Sequence, residues 1–176
     1  MAEDEGAVLS WIEVPSRFGR FAVEGDEWGL TRLVLPGGPA GAGSSGAGPS
    51  HVPSCLDAAA DQLTDYLNRR RSEFELPRHL TGTPFQLEVW DALATVGYGS
   101  TVTYADVAAM IGRPTAFRAV GGALGANPLP IVVPCHRVVA TGGGLGGYAG
   151  GTELKAALVD LESAGVVGDR RNAAVG

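Results

Sequence analysis

The spacing of apolar residues along this chain divides it into two kinds of segment. Between residues 8 and 35, Phe18, Phe21 and Val23 stand among Gly19 and Gly25, and Leu30, Leu33 and Leu35 follow. That pattern of short alternating runs broken by glycine predicts strands and turns. The stretch 37–50, GGPAGAGSSGAGPS, has six glycines and no large apolar residue, so it predicts a loop with no face to bury. Helical spacing starts at Ser54, which can cap a helix reaching about Arg70, with Leu56, Ala59, Ala60, Leu63, Tyr66 and Leu67 on one stripe.

After a connector over 72–82, Thr83 caps a second predicted helix with Pro84 in its first position, burying Phe85, Val89, Trp90 and Leu93. Thr103 and Asp106 have capping-box spacing for a third, with Val107, Ala108 and Ile111 inward and Gly112 as its stop. Pro114 opens a fourth, with Phe117, Val120, Gly121 and Leu124 as its core face and Arg118 turned elsewhere. The third and fourth helices, joined at Gly112, read as a helix-turn-helix. Pro128 and Pro130 predict an extended passage through Ile131-Val132-Val133-Pro134 to Cys135, and 141–151 a glycine-rich loop. Thr152 caps a last helix, with Leu154, Ala157, Leu158 and Leu161 inward and Gly165 at its end.

Composition changes little in this picture. At 176 residues, 45% hydrophobic and 18% charged, the chain suits one ordinary domain or two small ones. The acidic start and the absence of any apolar run near membrane-spanning length predict a soluble, unsecreted protein with no membrane partner. Two cysteines and three histidines (His51, His79 and His136) have no paired ligand spacing, so no metal is expected and a reducing cytoplasm fits.

Charge adds one qualification. A net charge of −6 speaks against a large nucleic-acid footprint, but it is unevenly spread. Residues 1–91 carry 7 basic and 14 acidic side chains, whereas 92–159 carry Arg113, Arg118, Arg137 and Lys155 against Asp106 and Glu153. Any DNA-binding surface belongs to that second segment and is small.

The chemistry concentrates at Cys135-His136, between Pro134 and Arg137. A thiol becomes a strong nucleophile as thiolate, and a neighbouring imidazole or cation favours that form. Adjacent side chains on an extended segment point apart, so cooperation requires a turn or an intervening water. The glycines at 142–147 lack the lysine and helix start of a phosphate-binding loop. Arg69-Arg70-Arg71, at a predicted helix end, suits the helix dipole better than a ligand. Cys55 reads as an inert helix residue.

The segments GTPFQLEVW (82–90), TYADVA (103–108), RAVGGAL (118–124), NPLPIVVPCHRVV (127–139) and GGLGGYAGG (143–151), with the stretch Lys155 to Glu162, resemble the methylated-DNA–protein-cysteine methyltransferases. The first half resembles that family loosely, through SRFGRFAV. The resemblance implies an α+β chain: a small, strand-rich, ribonuclease-H-like N-terminal domain (1–78), a winged helix-turn-helix-type domain (79–168) and a tail (169–176). It implies double-stranded DNA carrying O6-alkylguanine as partner, base flipping, and one irreversible transfer of a methyl or other alkyl group to Cys135. O4-alkylthymine stays open as a second substrate.

The same resemblance implies no cofactor, no obligatory protein partner and a monomer. It makes Cys135 the acceptor, His136 its base through a water, Glu162 the orienting carboxylate and Asn127 the hinge asparagine. Tyr104 then contacts the flipped nucleotide, Arg118 fills the gap in the stack, and Val138 offers its carbonyl to the base. Tyr148 and Ala149 close over it; many relatives carry serine where this chain has Ala149, leaving only a backbone N–H there. Three rival readings stand beside this one: a base-flipping sensor of similar fold, a cysteine hydrolase and a DNA-binding regulator with an incidental thiol.

Overall fold

The computed structural model describes residues 9–38 and 54–167; residues 39–50 of the predicted glycine-rich loop and the tail at 169–176 lie outside them. Three antiparallel strands, β1 (Ser10–Ser16), β2 (Gly19–Gly25) and β3 (Leu30–Val34), form a sheet in the order β1-β2-β3. Val14 pairs with Phe21 and Val23 with Leu33, so one face carries the apolar set. Gly19, at φ 112, makes the β1–β2 turn, a conformation that disfavours a side chain.

Helix α1 (Ser54–Leu67) covers that face with Leu56, Ala59, Leu63, Tyr66 and Leu67 buried, the predicted stripe apart from a half-buried Ala60. It ends before the predicted Arg70. Arg69 takes φ 60 and donates from Nε to the Gly165 carbonyl at 2.8 Å. The arginine therefore serves the end of the last helix rather than its own, because the chain reverses there.

The rest of the described chain is mainly helical. Helix α2 (Pro84–Ala94) has the predicted Thr83 cap, completed as a capping box by Gln86, and buries Val89, Trp90 and Leu93. Helix α3 (Tyr104–Met110) has the predicted Thr103–Asp106 box, and Gly112 turns the chain at φ 70.

Helix α4 (Phe117–Gly125) starts three residues after Pro114 and has no side-chain cap. Its core face is Val120 and Ala123, and Phe117, predicted inside, is 45% exposed. On the inner side of α4 the Trp90 indole N–H donates to the Ala123 carbonyl at 2.9 Å.

Two features were not predicted. Strands β4 (Val102–Thr103) and β5 (Val138–Val139) pair in parallel, tying the residues after Cys135 to the start of α3. Helix α5 (Gly151–Ser163) has Gly150, not Thr152, at its cap position, and its buried side is Lys155, Leu158, Leu161 and Glu162. Lys155 and Glu162 thus share the inner face with the predicted Leu158 and Leu161, while Leu154 and Ala157 are half-buried. Among the described residues no helix is long and apolar enough to cross a membrane.

Candidate active site

The passage into Cys135 is a chain of tight turns, not the predicted extended run. The Val133 N–H donates to the Leu129 carbonyl at 2.8 Å, and Ile131 is held at φ 77. A β-branched residue in that region is strained by roughly 1–3 kcal/mol and persists only where packing over-determines it. Here Ile131 is buried, and the Leu33 N–H of β3 docks on the Pro128 carbonyl at 2.8 Å. Asn127 braces the turn from both ends, donating from Nδ2 to the Val133 carbonyl at 2.9 Å and accepting from the Leu129 N–H at 3.0 Å. Pro134, at φ −80 and ψ 63, makes an inverse γ-turn, closed by the Cys135 N–H on the Val133 carbonyl.

Cys135–Arg137 then form a single 3-10 turn, in which successive side chains diverge by about 120° instead of alternating faces as on a strand. All three side chains are buried. His136 Nε2 lies 2.8 Å from Glu162 Oε1. An ionised carboxylate has no proton to give, so Nε2 carries the hydrogen and Nδ1 is bare. Nδ1 is buried without a partner, an acceptor held ready for a proton.

Burial pushes the Glu162 carboxyl up, but the hydrogen bonds from His136 and Arg137 outweigh it and hold it at about 2. Arg137 donates to Glu162 from Nε at 2.9 Å and from Nη2 at 2.9 Å, and Gly99 N–H adds a bond to Oε2 at 3.1 Å. Burial lowers His136, with Glu162 opposing, so the imidazole is neutral near pH 7. Burial pushes the Cys135 thiol up to about 11, against the opposing pull of Asn127 and Lys155. The resting pair is therefore thiol and neutral imidazole.

On its other side Cys135 borders a cavity of about 320 Å³, lined also by Tyr104, Gly121, Leu124, Gly125, Gly147, Tyr148 and Ala149. That volume falls at the small end of ligand sites. The buried Tyr148 hydroxyl has no partner, and its ring stands edge-on to His136 at 6.5 Å. Gly146, at φ 70, lets the loop pass so close to Tyr104 that a Cβ there would lie 2.7 Å from its hydroxyl. A larger cavity of about 480 Å³ lies behind the turn, between the 72–78 connector and residues 131–134, and Cys135 is not in its lining.

The structure thus brings Cys135, His136, Glu162 and Asn127 together, and Tyr104, Tyr148 and Ala149 around one cavity. Val138 lies on β5 with its carbonyl 2.6 Å from Lys155 Nζ, so part of its accepting capacity is already used. Arg118 is exposed on α4 outside the cavity lining, its guanidinium 5.8 Å from the Phe117 ring.

The basic segment offers little free positive charge. Arg137 and Lys155 are buried, and Arg113 pairs with Glu88 at 2.9 Å, which leaves Arg118 as its exposed cation without an ion pair among the described residues. Sequence reasoning missed Lys155, whose ammonium joins the Val138 and Gly147 carbonyls, and the role of Arg137. A lysine and a glutamate seven residues apart, on the same side of the helix as Leu158, were the signal.

A buried thiol stands on a cavity wall, backed by an imidazole and a saturated carboxylate, and the fold that holds them is the alkyltransferase fold. A crystal structure of Mycobacterium tuberculosis O6-methylguanine methyltransferase superposes with TM-score 0.81 at 37% identity, covering 94% of this chain and 99% of that one. The M. tuberculosis protein OGT in complex with DNA matches at TM-score 0.76 and 37% identity, over 90% of this chain and 96% of that one.

Residues 84–164 match the family described as 6-O-methylguanine DNA methyltransferase, DNA binding domain. The inducible methylated-DNA–protein-cysteine methyltransferase of Bacillus subtilis is 50% identical over 107 residues, 61% of this chain. The match spans 60% of that relative's length. The chain belongs to the methylated-DNA–protein-cysteine methyltransferase family.

Proposed function

We propose that this protein repairs alkylated double-stranded DNA by moving the alkyl group from O6 of guanine onto Cys135, once per molecule. The observation that carries the reading is the placement of Cys135 between the cavity and the His136–Glu162 pair. Burial raises the Cys135 thiol to about 11 and lowers the His136 imidazole, so thiolate and imidazolium are both disfavoured at rest and the ion pair forms as substrate engages.

The thiol proton passes to His136 Nδ1, through a water, while Sγ attacks the alkyl carbon. The carbon–O6 bond breaks, its electron pair stays on the base, and the base takes up a proton to leave as guanine. The thioether has no route to hydrolysis at this site, so the sulfur is not regenerated. O4-alkylthymine is a further substrate to test in the same way.

The remaining assignments rest on the family resemblance. Tyr148's unpartnered hydroxyl is a donor for the extruded base, Tyr104 contacts the flipped nucleotide, and Ala149 offers its backbone N–H. Val138 keeps one carbonyl lone pair for the base amino group. Arg118 stacks in the vacated space, since a planar guanidinium both stacks and donates.

Helices α3 and α4 serve as the helix-turn-helix of a winged domain over 79–168. The β1–β3 sheet with α1 is the core of a ribonuclease-H-like domain over 1–78. Both thiols are free, which fits a reducing cytoplasm, and the family resemblance favours a monomer. The test is to incubate the protein with duplex containing O6-methylguanine and weigh it. One methyl gained on Cys135 without turnover is expected; turnover, or no adduct, overturns the reading.

A further inference from the structure

Helix α1 belongs to the half of the chain in which the sequence places no chemistry. Yet Tyr66, on its last turn, is fully buried, tilted against Phe74 at 5.2 Å and edge-on to Tyr98 at 6.0 Å. Its hydroxyl lies 2.6 Å from Glu162 Oε1 and 3.2 Å from His136 Nε2. The shorter contact is to a carboxylate, which can only accept, so the phenol proton goes to Glu162. The phenol oxygen then turns its lone pairs toward the Nε2–H of His136.

We propose that Tyr66 is a positioning residue for the transfer reaction, its hydroxyl holding His136 in the tautomer that leaves Nδ1 bare for the Cys135 proton. The inference rests on the reading of Cys135 as alkyl acceptor. In this arrangement two oxygens, Glu162 Oε1 and the Tyr66 hydroxyl, accept from one imidazole N–H. The opposite tautomer would set a bare Nε2 against both oxygens with no proton between them, because Glu162 already holds the phenol proton. Burial, with Glu162 beside it, holds the phenol well above its ordinary range and keeps it protonated throughout. The other charged or titratable groups around the pair are Arg137 on the same turn, Tyr98 after α2, Tyr148 on the closing loop, and Cys135 and Lys155. None of them supplies this second acceptor.

Tyr66→Phe deletes one oxygen and keeps the ring packing. Its transfer rate should be followed across pH on O6-benzylguanine and on methylated duplex. Losing a hydrogen bond to a charged group predicts transfer roughly tenfold slower on both substrates at neutral pH. Removing the donor also leaves more carboxylate charge on the imidazole, which raises its affinity for a proton. The acid limb of the rate profile should therefore move up by about half a pH unit to one unit. Duplex affinity should not change.

A purely structural tyrosine would lower the melting temperature and leave the profile in place, which overturns the inference. If the variant does not fold, NMR of the wild-type protein decides. A protected Tyr66 hydroxyl proton with a cross-peak to the His136 ring, and nitrogen shifts of an Nε2–H tautomer, are expected. The other tautomer overturns the proposal. A wild-type protein that gains no methyl on Cys135 defeats the functional reading itself. An alkylated wild type with an unmoved Tyr66→Phe profile defeats only this inference.

Discussion

The two sides of Cys135 are built on opposite principles. Behind it, every polar atom of Glu162 is taken: Oε1 and Oε2 accept from Tyr66, His136, Arg137 and Gly99, all within 3.2 Å. In front of it lies an open cavity bordered by Tyr104, Gly147 and Ala149, and α4 leaves Phe117 and Arg118 facing outward. A saturated network in low dielectric fixes one geometry. An unsaturated surface waits for a partner that completes it. The difference teaches where each kind of substitution should register: behind the thiol, in rate and stability; in front of it, in the handling of duplex DNA.

The sharpest test of that division is the thiol itself. Cys135→Ala should abolish methyl transfer, read by mass spectrometry, while keeping affinity for alkylated duplex; Cys55→Ser should react normally. Next comes Glu162→Gln, which leaves Arg137 buried without its counter-charge. It should destabilise the protein by roughly 3–5 kcal/mol and slow transfer about a hundredfold.

The acid stability of the wild type sharpens the same point. The Glu162 carboxyl is depressed from 4.5 to about 2. Its contribution, on the order of 3 kcal/mol, is present above the unfolded value and is lost as pH falls through 4.5 toward 2. Melting temperatures across that window should drop in the wild type more steeply than in Glu162→Gln. Equal slopes would show that the carboxylate is not held as described.

On the open side, Arg118→Ala should repair methylated duplex roughly ten- to a hundredfold more slowly, the effect of a few kcal/mol of lost support for an extruded base. Its reaction with free O6-benzylguanine should be nearly unchanged, and Arg118→Lys should rescue little. Equal slowing on both substrates would move Arg118 to the closed side of the comparison.

Phe117→Ala should weaken duplex binding about fivefold with little loss of stability, since the ring is 45% exposed and apolar wedges favour minor-groove contact. Smallest of all is the salt effect. With two of the four local cations buried and a third ion-paired, on the order of one to three phosphates should be neutralised, giving a log–log slope of about −1 to −3. A slope near −8 would place the binding surface elsewhere.

Local chemistry was legible in the chain alone. The Thr83 and Thr103 caps, the turn at Gly112, the stripe on α1 and the special standing of Cys135-His136 all depend on residues within a few positions of one another. The residue pattern also carried the family, through PCHRVV in register with RAVGGAL. What tertiary structure alone decided is whatever depends on partners far along the chain. Phe117 turned outward while Val120 and Ala123 became the buried face of α4, where the Trp90 indole meets the Ala123 carbonyl. Arg69 left its own helix for the end of α5.

Lys155 turned inward because β5 offered it a carbonyl, and Glu162, already matched to the site by resemblance, gained a guanidinium from the 3-10 turn. Tyr66 looked like one more member of an apolar stripe, and its hydroxyl finds Glu162 ninety-six residues later. Periodicity reports which side of a helix is buried. It carries no information on which buried polar atom will meet another, because that pairing is set only when the elements pack.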